Sequence, residues 1–580
     1  MTATERPHAA DRAAGPEETD RSLGFMLLMA IAVGVVAGFG AWGFRMLIGL
    51  VHNAMFLGEF AFHYDANVHT APGPWGAGVI LAPVIGAVAV AFLVKNYAPE
   101  AKGHGVPEVM DAIHYNEGRI RHRVAVVKSL ASAISIGSGG SVGREGPIVQ
   151  IGSAFGSTLG TIVPMRTRDR ITLIAAGSGA GIAATFNAPL GGLLFAVELL
   201  LVAVNARNLL VVALTTAVAS YISRLLIGTH PSFFIPALEV PEFYLEQPLA
   251  LVAFLALGAL IGLMSVAFIR GLYWMEDVFD AMPGNYYTRH MLGMLCVGVM
   301  MYLLLRNAGH YYVEGVGYAT IMDILRGVLT NPGFLLLLAA LKLLATCLSL
   351  GSGASGGVFS PALFMGATAG AAFGTVCQAL FPGLDIDLAT FAIAGMAAMV
   401  GGTTGAILTG MVMLTEMTGD GSVILPLIVT CSVAYAVRKS IMTESIYTMK
   451  LLARGHTVPE GLEAAVASTR RVDDLMQTGF EIVGPGGAPS PDHPVAIVAQ
   501  DGRIAAVLAR RSPEDPATPV GYTIASEGAL LLTAISTMWP SEARIILVSR
   551  RPGSDRAEDV VGVVTSEAIG RFLQAEAKLL

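Results

Sequence analysis

The chain has 580 residues, 54% of them hydrophobic and 14% charged, and its formal net charge of −7 is unevenly spread. Residues 1–21 hold five acids against three bases and residues 456–580 hold 16 acids against 11 bases, which leaves 22 of each for the 434 residues between. That balanced, apolar middle carries far less charge than a soluble surface needs, over a length no single soluble core buries; with no strongly basic stripe, a nucleic-acid partner is excluded.

The expectation is therefore a polytopic membrane domain over 23–455, preceded by a polar segment (1–22) and followed by a linker (456–470) and a tail of soluble composition (471–580). The first apolar run, 23–51, is too long for a cleavable signal peptide and reads as a span. Continuous runs follow near 76–94, 209–228, 248–274, 291–305 and 333–350, each long enough to cross about 30 Å of hydrocarbon. Between them lie runs interrupted by glycine or proline, near 124–137, 147–163, 171–183, 189–204, 361–380, 390–400, 405–417 and 423–437. These read as helices that stop inside the protein, and irregular backbone at membrane depth belongs where it lines a polar path. Arg and Lys gather at 119–128, 166–170 and 438–454, which places those loops, and hence the tail, in the cytoplasm. Cys296, Cys347, Cys377 and Cys431 lie in apolar runs without ligand spacing, so they read as packing residues, and no metal is expected.

An internal repeat runs through the middle. GSGGSVGREGPIVQIGSAFG (137–156) matches GSGASGGVFSPALFMGATAG (351–370) at a constant offset of 214, with eight identities, and APLGGLLFAVE ending at Glu198 matches AILTGMVMLTE ending at Glu416. The copies span about 76–228 and 291–440. Paired Gly/Pro-interrupted segments in two halves point to a transporter's binding site, and such repeats are commonly inverted.

In each copy a glycine-rich turn leads through Pro147 or Pro361 into an apolar helix, and Pro107 follows a similar turn in GHGVPEV (103–109). Proline suits a first helical turn, so these are helix N-termini inside the membrane. Such an N-terminus offers free N–H groups and about half a positive charge, an anion site with no full cation. A cation path would instead use rings of carboxylates or carbonyls. Glu145 precedes Pro147, and its counterpart in the second copy is Phe359. A carboxylate there is either a cap or a tethered anion that occupies the site and leaves when protonated. An embedded ionisable group favours the second reading. Glu198 and Glu416 close broken helices, where an acid opposes the dipole, and read as vestibule or structural hydrogen-bonding groups.

GHGVP (103–107), GREGP (143–147), GVFSP (357–361) and Tyr447 together resemble the signature set of the CLC family of chloride channels and chloride/proton antiporters, in order and spacing over residues 24–455. The resemblance implies an all-α membrane domain with an inverted repeat of broken, tilted helices, assembled as a homodimer with one pore per subunit. It implies a transporter of chloride and protons rather than an enzyme, integral to a bacterial inner membrane. It puts the anion-coordinating amides on Val358 and Phe359, the hydroxyl ligand on Tyr447, and the gate and proton carrier on Glu145. The full candidate site adds His104, Gly105, Val106, Arg144 and Gly146, and dimer contacts fall on the helices bearing Glu198 and Glu416. Two positions depart from the family pattern. His104 stands where a serine or proline is usual, so either its imidazole or only the backbone meets the anion. Leu199 stands where coupled exchangers usually carry a second glutamate, which leaves both an exchanger and a passive channel open. A membrane-anchored nucleotide sensor is the remaining alternative.

In the tail, strand, Asp-Gly turn, strand and then GVVTSEAI leading into a helix is similar to a CBS domain, with a degenerate first copy around Ala506. Adenine nucleotide is a possible ligand of such a small α/β domain. A packing and regulatory module without ligand is the preferred expectation, and no cofactor is expected beyond the transported ions.

Overall fold

The computed structural model describes residues 21–202, 204–229, 232–233, 248–382, 387–456, 458, 471–487, 490, 493–510, 516–529, 531–538 and 543–570. Two compact units divide the chain between residues 462 and 463.

The first unit is all-helical. Its first half contains α1 (Leu23–His52), α2 (Ala82–Tyr97), α3 (Val106–Tyr115), α4 (His122–Gly137), α5 (Glu145–Ile162), α6 (Thr167–Phe186), α7 (Pro189–Leu199) and α8 (Ala206–Ile227). Its second half contains α9 (Pro248–Ala281), α10 (Tyr286–Ala308), α11 (Tyr318–Leu325), α12 (Pro332–Ser352), α13 (Phe359–Leu380), α14 (Leu388–Thr404), α15 (Ile407–Thr418) and α16 (Ile424–Ile441), and a short α17 (Thr448–Leu452) closes the unit. Local chemistry sets many of these limits. Ser22, Asn205 and Asn331 each accept a backbone N–H as N-caps of α1, α8 and α12, and left-handed glycines end α10, α14 and α15, as cap preferences require.

Among the described residues, eight helices are long and apolar enough to cross a membrane. Two of them, α13 with 22 residues and α16 with 18, fall where the sequence reading placed interrupted runs. The stretch read as broken at 171–183 is likewise one helix of 20 residues, α6. In α6 and α13 the glycines serve contact between helices, where small residues let backbones approach, and in α16 the interruption is Pro426 in the first turn, where proline is tolerated. A Cβ at Gly152 of α5 would lie 2.0 Å from the Gly177 carbonyl of α6, and one at Gly366 of α13 would lie 2.3 Å from the Gly395 carbonyl of α14. Cys347, Cys377 and Cys431 are buried, whereas Cys296 is exposed on α10.

The two halves are related by pseudo-two-fold symmetry that reaches individual bonds. Lys128 of α4 donates to the carbonyls of Ala101 (3.0 Å) and Gly103 (2.6 Å), and Lys342 of α12, 214 residues later, donates to those of Val313 (3.0 Å) and Gly315 (2.7 Å). Ser355 N donates to Ser135 Oγ and Ser141 N donates to Ser349 Oγ, each at 3.2 Å. Gly34 and Gly38 bring α1 onto α8 as Gly258 and Gly262 bring α9 onto α16. The repeat therefore takes in α1 and α9 as well.

The second unit holds two sheets. In one, β1 (Phe480–Val483) runs parallel to β2 (Val495–Gln500), which pairs antiparallel with β3 (Arg503–Ala509), and β3 with β4 (Thr518–Pro519). In the other, β5 (Tyr522–Ser526) runs parallel to β6 (Ile545–Ser549), which pairs antiparallel with β7 (Val560–Thr565). The ladder irregularity falls between Val498 and Ala499 in β2 and between Val548 and Ser549 in β6, the same place in both strands. A helix, α18 (Leu531–Met538), links β5 to β6. The β1–β2 link carries Pro485, Pro489, Pro491 and Pro494 instead, and no helix is assigned among its described residues. This small α/β unit fits the CBS-like domain expected, with a first copy that shows no helix among its described residues.

Candidate anion and proton site

Four helices begin inside the membrane unit, each with a buried first residue: α3 at Val106, α5 at Glu145, α11 at Tyr318 and α13 at Phe359. Their leading turns are tied together by backbone. Gly143 and Gly357 exchange hydrogen bonds (2.7 and 2.6 Å), Gly103 N donates to the Ala354 carbonyl (3.0 Å), and Gly356 N donates to the Gly103 carbonyl (3.3 Å). Gly105 and Gly317 precede α3 and α11 with φ of 83° and 78°, a conformation that only glycine adopts without strain. Glycine is also needed for space, since a Cβ at Gly146 would lie 1.9 Å from the His104 carbonyl oxygen. The sequence reading found three of these turns. The fourth, GVGYA at 315–319, is the pseudo-symmetric partner of GHGVP.

Glu145 lies at this junction, 2% exposed. Its Oε1 accepts hydrogen bonds from Ser360 Oγ and, at 3.4 Å, from Tyr318 OH, while the two hydroxyls are 2.7 Å apart. Its Oε2 has no hydrogen-bond partner and rests against the two bridging glycines, where a Cβ at Gly143 would lie 2.0 Å from it and one at Gly357 2.7 Å. Arg144 turns aside: its guanidinium lies over the rings of Phe186 (5.7 Å) and Tyr318 (5.2 Å) and donates to the Thr185 carbonyl at 3.4 Å. Val358 is the buried N-cap residue of α13, followed by Phe359, whose ring is 5.6 Å from that of Phe186. The first amides of α5 and α13 have no partner within their own helices, so they face the same small region as the carboxylate.

On the opposite side of the junction, His104 and Tyr447 are buried with ring centroids 5.9 Å apart. The Ser445–Thr448 segment is fixed by Ile446 N donating to Thr403 O (3.0 Å) and Thr448 N donating to Ser445 Oγ (3.3 Å). Tyr273 OH donates to the Ile446 carbonyl (2.6 Å) and lies 3.4 Å from His104 Nε2, while His104 Nδ1 has no partner. Because the tyrosine proton is engaged by the carbonyl, the contact with His104 needs an Nε2–H donor, which leaves Nδ1 bare in the neutral ring.

Glu198 and Glu416 lie away from this junction. Glu198 at the end of α7 accepts from Leu408 N (2.9 Å), Thr409 N (2.7 Å) and Thr409 Oγ1 (2.6 Å), and Glu416 near the end of α15 accepts from Leu190 N (3.1 Å) and Gly191 N (2.7 Å). Each is a structural hydrogen-bonding group, and the next residue after Glu198, Leu199, is buried. Sequence reading missed Tyr318 and Ser360. Their counterparts in the first half are Val106 and Gly146, at offsets of 212 and 214, so the signal was a difference between the copies rather than a match.

The family described as "Voltage gated chloride channel" matches residues 85–439. The chain is 34% identical over 435 residues to the H(+)/Cl(-) exchange transporter ClcA of Vibrio parahaemolyticus, covering 73% of this chain and 89% of the relative. It is 32% identical over 466 residues to the ClcA of Yersinia pseudotuberculosis, covering 79% and 94%. Among solved structures, a slow cyanobacterial Cl-/H+ antiporter superposes with a TM-score of 0.64 at 27% identity, over 75% of this chain and 99% of that one. A eukaryotic CLC transporter superposes with a TM-score of 0.64 at 20% identity over 94% of this chain and 98% of that one, a likeness of fold that extends through the tail.

Proposed function

The chain belongs to the voltage gated chloride channel (CLC) family, and on that premise we propose that it exchanges chloride for protons across the membrane, with Glu145 as gate and proton carrier. The observation that carries this reading is the buried Glu145 carboxylate at a junction of helix N-termini, with one oxygen held by hydroxyls and the other unpartnered. An ionised carboxylate there occupies the place a mobile anion would take. Protonation removes the charge that the N-termini favour, the side chain gives way, and chloride enters. The proton then leaves on the side to which the carboxyl swings, which links the two fluxes.

In this reading the anion is coordinated by backbone N–H groups of Gly105, Val106, Gly146, Val358 and Phe359, with Tyr447 and His104 on the far side and the Arg144 charge nearby. The relatives are named as exchange transporters, which favours exchange over a passive channel, and Leu199 requires proton entry that bypasses a carboxylate at that position. The protein is integral to the bacterial inner membrane, and the Arg- and Lys-rich short loops favour a cytoplasmic tail. We assign homodimer contacts to α7, α15 and α16, where Leu190, Leu408, Leu425 and Ile428 are exposed. For the tail we favour a packing and regulatory role over an adenine-nucleotide site, because the described residues of its first copy show no counterpart of α18.

Purified protein in liposomes tests the exchange directly. An imposed chloride gradient should drive protons uphill. Chloride efflux without proton movement would establish a channel, and no flux of either ion would leave the sensor alternative.

A further inference from the structure

The two halves are alike in backbone at the junction but not in side chains. Where the first half has Val106 and Gly146, the second has Tyr318 and Ser360, and both hydroxyls converge on Glu145, which belongs to the first half. Neither hydroxyl finishes a helix: the starts of α11 and α13 have no side-chain cap hydrogen bond, and both hydroxyls turn to the carboxylate instead. Tyr318 is 2% exposed and Ser360 fully buried, so both hydroxyls meet Oε1 inside the protein. Ser360 Oγ donates to Oε1, and the single Tyr318 proton lies between Ser360 Oγ at 2.7 Å and Oε1 at 3.4 Å; this hydroxyl pair favours the ionised carboxylate, since hydrogen bonds to a charged acceptor are about twice as strong as neutral ones.

We propose that Tyr318 and Ser360 are positioning residues that latch the ionised Glu145 carboxylate in the anion site and so set the pH at which the gate opens. The inference rests on the gate reading of Glu145. The other charged or titratable groups facing this carboxylate are Arg144 beside it, Lys342 from α12 and Tyr447 ahead of α17. None of these hydrogen-bonds Oε1 among the described contacts. With the latch removed, the ionised form loses its donors while the protonated form loses less, so the gate releases at a lower proton concentration.

The test is the pH dependence of chloride flux in liposomes for the full chain, with thermal stability recorded on the same preparations. Ser360→Ala and Tyr318→Phe should each move the midpoint of activation toward alkaline pH by about one unit, a tenfold change in proton concentration. Ser360→Thr, which keeps a hydroxyl, should restore the original midpoint. In a Glu145→Gln background neither change should affect the pH profile. A folded Ser360→Ala protein with an unmoved or acid-shifted midpoint overturns the latch, even if its stability changes. If Glu145→Gln itself keeps proton coupling, the gate reading fails instead, and the two failures are distinct.

Discussion

Glu198 and Glu416 each hold the start of the helix that the other one ends. The carboxylate of Glu198 binds the first amides of α15, and that of Glu416 binds the first amides of α7. Each therefore satisfies free N–H groups that no helix can satisfy alone and places negative charge at a positive helix end. Hydrogen bonds to charged groups contribute about 1.5–3 kcal/mol each, so Glu198→Gln should lower the unfolding temperature measurably. Glu416→Gln should cost less, because that side chain is only half buried. Proton coupling should survive both changes. Loss of coupling in a Glu198→Gln protein of unchanged stability would put this residue in the proton path.

The junction depends on missing side chains. Gly146→Ala would set a Cβ 1.9 Å from the His104 carbonyl, a backbone atom that cannot move aside. The expected outcome is protein that does not reach a monodisperse folded state in detergent. Gly43→Ala on α1 meets nothing within 4 Å and should be neutral or stabilising by up to about 1 kcal/mol, the ordinary helix preference for alanine. Size-exclusion profiles and thermal melts of the two variants decide this.

His104 and Tyr447 should tune transport rather than enable it, since backbone amides supply most of the donors. Tyr447→Phe and His104→Ser are each expected to change rate or chloride/nitrate preference while leaving measurable exchange. The tautomer at His104 gives a sign for its effect. Burial and the positive charges of Lys450, Lys128 and Arg454 hold the imidazole well below its usual range, so the ring stays neutral and shows a bare Nδ1 that repels an anion. Replacing it by serine should therefore strengthen chloride binding by a similar factor at both of two pH values in a calorimetric titration. Abolished binding in folded His104→Ser protein, at both pH values, would contradict the backbone account.

Much of this was legible in the amino-acid sequence, for local reasons. Gly-x-Gly turns before proline announce helix starts because positive φ and a missing N–H are single-residue properties, and the repeat announced itself through identities at a fixed offset. What escaped was set by distant packing. Gly177 and Gly366 look like helix breakers until the facing carbonyls of Gly152 and Gly395 are seen beside them, and only the folded chain brings Tyr318 and Ser360 to a carboxylate 173 and 215 residues away. The tail was legible to the same depth: β6, β7 and the helix after them stood out, whereas the first copy, with four prolines between β1 and β2, survives mainly as strand pairing.

The central claim is that the Glu145 carboxylate is a tethered competitor for the anion. Glu145→Gln keeps its size and removes its charge, leaving the helix N-termini to a mobile ion. Chloride and proton fluxes measured together in liposomes containing this variant should show chloride movement that persists at neutral pH, barely responds to external acid, and carries no protons, because an amide does not bind a proton in this range. Chloride flux that remains pH-dependent and proton-coupled would show that Glu145 is neither the gate nor the proton carrier.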